Sequence, residues 1–65
     1  MSNVQVAIDW VNQNIPRTNS GGVIAFPMFP GATKHDVRTI QKSLQGNVQV
    51  ATVTASKQFV IVNIK

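Results

Sequence analysis

Residues 48–64 read Val-Gln-Val-Ala-Thr-Val-Thr-Ala-Ser-Lys-Gln-Phe-Val-Ile-Val-Asn-Ile. β-Branched side chains dominate, and they fit a pleated, half-buried surface better than a helix. Two such runs, 48–55 and 59–64, flank a polar break, which predicts a C-terminal β-hairpin with Ser56 and Lys57 as its loop. A two-residue loop there sets Val53 opposite Val60, Ala51 opposite Val62 and Gln49 opposite Ile64. That face is apolar. The other carries Val48, Val50, Thr52, Thr54, Phe59, Ile61 and Asn63. A three-residue loop would exchange the faces of one strand. Residues 59–64 are apolar on both faces, as a central strand tends to be, so a third strand is expected on their free side.

Upstream, Thr33 and Asp36 have the spacing of an N-cap and its third helical residue, a capping-box variant that also suits the helix dipole. Val37, Ile40 and Leu44 follow as an apolar stripe, and Gly46 is placed to end the helix in left-handed geometry. Val23–Phe26 reads as a short strand. Pro27 cannot donate to a ladder and marks its edge or its end. At the N-terminus, Ser2 and Gln5 form a second capping box. Val4, Ala7, Ile8, Val11 and Ile15 share one helical face, and Pro16 bounds the helix. Asn-Val-Gln-Val-Ala occurs twice, at 3–7 and at 47–51. Only the second copy continues into an alternating pattern, so the first is read as helix and the second as strand. The expected fold is one small α+β domain over 1–65, in the order α-β-α-β-β. It has a three-stranded mixed sheet, and both helices cover the Val53/Val60/Val62/Ile64 face.

Sixty-five residues make one domain, which buries only about 60% of its unfolded surface. The absence of cysteine excludes disulfides, thiolate metal sites and thiol catalysis. That absence, with no signal-peptide pattern and no long apolar run, points to a cytoplasmic protein without a membrane segment. Six Lys+Arg stand against two Asp+Glu, a net charge of +4. Such a field attracts polyanions.

Catalytic groups are few: His35, Asp9 and Asp36 are the whole His and carboxylate inventory. His35 and Asp36 diverge around a helix, Asp36 is engaged in capping, and one His with two distant Asp makes a poor metal site. No enzyme, cofactor or metal is expected. The cations carry more information. Lys34, Arg38 and Lys42 recur at i, i+4 and i+8, which stacks them along one helical ridge opposite the apolar stripe. No acid relieves their mutual repulsion, and such a ridge suits phosphates or base edges. His35 flanks it. Arg17, with the glycine loop 20–22, and Lys57 at the hairpin tip are candidate additional anion contacts.

A small basic nucleic-acid-binding protein is therefore expected, regulatory and dimeric, with DNA favoured over RNA. Many short cationic proteins of viruses and mobile elements are nucleic-acid binders or protein-binding modules. The alternative is a protein-binding module: an inhibitor, adaptor or small assembly subunit. Val6 and Trp10 are i, i+4 neighbours away from the buried stripe, and Phe59 and Ile61 occupy the far sheet face. Exposed apolar clusters of this kind mark interfaces and favour a homodimer. The remaining possibility is that residues 17–31 fold over one of the patches. The order helix, strand, basic helix, hairpin resembles a winged helix-turn-helix, which would make 33–45 the recognition helix and 48–64 the wing. Pro27 and Pro30 oppose the middle helix such a fold requires.

Overall fold

Ser2 opens the first helix in the computed structural model, which describes residues 2–65. The order is α1 (Asn3–Asn14), a short 3-10 helix (Ile15–Arg17), β1 (Val23–Pro27), α2 (Lys34–Gln45), β2 (Val50–Ala55) and β3 (Phe59–Ile64). The Ser2 hydroxyl accepts from the Gln5 N–H at 3.1 Å. The Gln5 side chain turns forward to Asp9, donating at 2.9 Å, so only half of the expected capping box forms. At α2 both halves form: the Asp36 N–H reaches the Thr33 hydroxyl, and the Thr33 N–H reaches the Asp36 carboxylate, each at 3.1 Å.

The sheet order is β1-β3-β2, with β3 central as its two apolar faces imply. Both edge strands run the same way, the feature that suggested a mixed sheet. They bond only to β3, however, so each ladder is antiparallel. Residues 21–31 hold β1 and a two-proline loop rather than a helix, which removes the winged-helix alternative. The core is continuous: Ile8, Val11 and Ile15 from the first helical segment, Ile40 and Leu44 from α2, and Val53, Val60, Val62 and Ile64 from the hairpin. Both helices lie on this one face of the sheet.

Three local expectations change. The hairpin turns one residue later than expected. Ser56 N–H donates to Phe59 O at 3.0 Å, leaving Lys57 and Gln58 at the tip. Val53 then pairs with Val62 instead of Val60. Moving the turn centre by one residue shifts the partners of residues 52–55 by two, so their predicted faces survive. The second change is a bulge between Val50 and Thr52 that leaves Ala51 without a partner. The extra residue rotates Val50 into the core at 5% exposure, although simple alternation puts it outside. Third, Gly46 has φ −70° and stays right-handed. The left-handed glycines are Gly21 and Gly31, both at φ 81°, in the two loops that flank β1. No helix among the described residues is long and apolar enough to cross a membrane.

Candidate nucleic-acid interface

The capping box fixes where α2 begins, and its apolar stripe fixes how it rolls. Ile40 and Leu44 are fully buried, and Val37 is half-buried against the same core. One further contact sets the roll: the Gln41 side-chain amide donates to the Val53 carbonyl on the outer edge of β2 at 3.0 Å. With that face held to the sheet, Lys34, Arg38 and Lys42 point outward and all three are exposed. At 1.5 Å rise per residue, the ridge is about 12 Å long, the span of about three to four phosphates on one duplex strand. The Asp36 carboxylate, two residues from both Lys34 and Arg38, is held back at the helix start by the Thr33 N–H.

The hairpin turn brings in a fourth cation. The Ser56 hydroxyl accepts from the N–H groups of Gln58 and Phe59, each at 3.2 Å. Such serine-centred turns tighten a loop through local hydrogen bonds. The tip holds Lys57 beside the first two turns of α2. Lys34, Val37, Arg38, Gln41, Ser56 and Lys57 together line an open concavity of about 340 Å³. Three cations thus converge from two elements, with a hydroxyl and an amide between them. Lys42 continues the ridge one turn beyond the concavity.

The other sequence candidates lie elsewhere. His35 is exposed but falls outside the residues that line the concavity. Arg17 sits in the 3-10 helix. Its neighbours Pro16 and Thr18 pack by Ile64 and Lys65, at the end of β3 remote from Lys57. The glycine loop offers little to an anion. The Gly21 N–H donates to the carbonyls of Ile64 and Lys65, and the Gly22 N–H donates to Asn19 O. Ser56 was absent from the sequence candidates for this site. The signal for it was its position immediately before a two-residue turn, where a hydroxyl can bond the following amides. Among the described residues, no three His, Asp or Glu side chains group as metal ligands.

The apolar candidates form two separate surfaces. Val6 and Trp10, exposed at 48% and 46%, border a groove of about 220 Å³ with Phe26 and Phe29. The Trp10 and Phe26 rings are 5.5 Å apart and tilted by 55°, a favourable aromatic arrangement. Phe59 is exposed and Ile61 half-buried on the opposite side of the sheet. No family model, curated protein or solved structure matches this chain. The geometry and chemistry of these surfaces are therefore what bears on function.

Proposed function

We propose that this chain is a small basic nucleic-acid-binding protein that grips phosphates through Lys34, Arg38, Lys42 and Lys57. The observation that carries this is the meeting of Lys57 with Lys34 and Arg38 around one concavity, on a chain of net charge +4. Cations that served only solubility would have no reason to converge from a helix and a hairpin tip. Like charges placed together repel unless an anion joins them. Open access and planar Arg and Gln groups suit a phosphate backbone with an adjacent groove. Duplex DNA is the favoured target and a regulatory role the favoured use, with the chain acting as a dimer.

The test compares cations inside and outside the concavity. Changing Lys34, Arg38 and Lys42 together to Gln should abolish binding to a generic duplex at moderate salt. Arg17→Gln should leave most of it. Equal losses per charge removed from the two changes would mean that only overall charge matters and that the concavity has no role. A protein-binding role through Val6 and Trp10 is the second reading, favoured by the exposed groove these residues share with Phe26 and Phe29. Under that reading Trp10→Ala removes partner binding and the triple Gln change does not.

A further inference from the structure

One face of the sheet carries no covering layer. On it Val23, Ala25 and Pro27 of β1 stand beside Asn63, Ile61 and Phe59 of β3. Thr52 and Thr54 complete the face on β2. Val23 is 57% exposed and Phe59 45%. Residues 17–31 were the segment that could have folded over this face, and the loop after β1 runs the other way. Met28 is buried in the core, and Phe29 packs against the same core on the helix side. An apolar sheet surface of this kind in water is a docking surface.

Charge selects the occupant. None of the eight side chains on this face is ionisable, while the cations of α2 project from the opposite layer. An acidic partner or a nucleic acid would seek the cations, and an anionic lipid surface would need a basic rim. A second copy of a +4 chain meets the least repulsion where no charge is present. The sheet edges are less inviting. β1 ends at Pro27, which has no N–H to donate. β2 is bulged at Ala51, and its Val53 carbonyl is occupied by Gln41. Prolines and bulges at sheet edges discourage edge-to-edge pairing.

We propose that two copies stack face to face through this open sheet surface, as the sheets of a β-sandwich do at about 10 Å separation. The helical layers then lie outermost, and both cationic ridges stay free. The contact is small. Three strands span about 14 Å, and five to six residues span about 17–20 Å. A standard interface takes about 800 Å² per partner, roughly a fifth of the 4264 Å² surface of this chain. The dimer is accordingly weak and concentration-dependent.

Sedimentation equilibrium from about 10 μM to about 1 mM covers the range expected of a weak complex. The wild-type mass should rise toward twice that of the chain. Ala25→Lys and Thr54→Lys change exposed positions on either side of Ile61. Each should hold the mass at one chain throughout while the far-UV spectrum stays native. Amide exchange at Val23 and Ala25 separates stacking from edge pairing, because their N–H groups point away from β3. Stacking leaves their exchange independent of concentration. A monomer at the highest concentration would overturn the proposal. So would a dimer untouched by both Lys changes, or one that protects the Val23 and Ala25 amides. The readouts are mass and exchange, so a failed duplex-binding assay leaves the proposal standing.

Discussion

The bulge at Ala51 gives a prediction in which neighbouring positions should behave oppositely to simple strand alternation. Val50 is 5% exposed and Ala51 is exposed. Val50→Ala removes two methyl-sized groups at about 0.8 kcal/mol each, plus up to about 1.2 kcal/mol for a roughly 50 Å³ cavity that does not collapse. The total is about 1.6–2.8 kcal/mol. Ala51→Lys should change stability by less than about 0.5 kcal/mol, as exposed substitutions usually do. Urea unfolding at low protein concentration reads both. With a slope near 1 kcal/mol/M for so short a chain, Val50→Ala should lower the midpoint by about 1.6–2.8 M and Ala51→Lys by less than about 0.5 M. An unbulged strand predicts the reverse, because Ala51 would share the core face with Val53 and a lysine there would bury an ammonium. Ala51→Lys proving the more damaging change would refute the bulge, and with it the placement of Val50 in the core.

Other positions test separate parts of the account by thermal unfolding, where 1 kcal/mol moves the midpoint of a chain this size by about 4–8 °C. Thr33→Ala removes the N-cap oxygen of α2 and should cost about 1 kcal/mol. No change would mean that the capping box does not hold the helix start. Gly46→Ala should stabilise by about 0.4–1 kcal/mol, since φ is −70° and the added carbon meets only ordinary contacts. Gly31→Ala, at φ 81°, should destabilise by about 1–2 kcal/mol. Equal effects at the two glycines would contradict their assigned backbone conformations.

The fold was legible where local chemistry and periodicity agreed. Thr33, Asp36 and the Val37/Ile40/Leu44 stripe mark α2 without outside help, and the β-branched runs of the hairpin leave little choice of structure. The pentapeptide Asn-Val-Gln-Val-Ala shows where local chemistry ends. At 3–7 it begins α1, and at 47–51 it leads through a turn into β2. The difference comes from the residues that follow and from what each copy can bury. The bulge was illegible because it answers a demand of the core: both Val50 and Val53 must face inward, and positions three apart on a regular strand point to opposite faces. The turn position was ambiguous because Ser-Lys-Gln can place its tight turn at either of two steps. Only the ladder to β3 decides between them.

The candidate site was legible in part. Spacing alone gives the ridge of Lys34, Arg38 and Lys42, because helical periodicity is local. The approach of Lys57 to that ridge is tertiary. It depends on the hairpin register and on Gln41 holding α2 to β2. The same geometry leaves Arg17 at the far end of the sheet, a separation that no count of charges could reveal.

The central claim concerns how many phosphates this cationic surface neutralises, and the salt dependence of duplex binding measures that number directly. Four contacts per chain, from Lys34, Arg38, Lys42 and Lys57, predict that log K per chain bound falls against log salt with a slope of about −3.6, at about −0.9 per contact. Lys57→Gln should reduce the slope to about −2.7, and the triple Gln change on α2 should reduce it to about −0.9. A slope near zero for the wild-type chain, or one unchanged by these substitutions, would contradict the account.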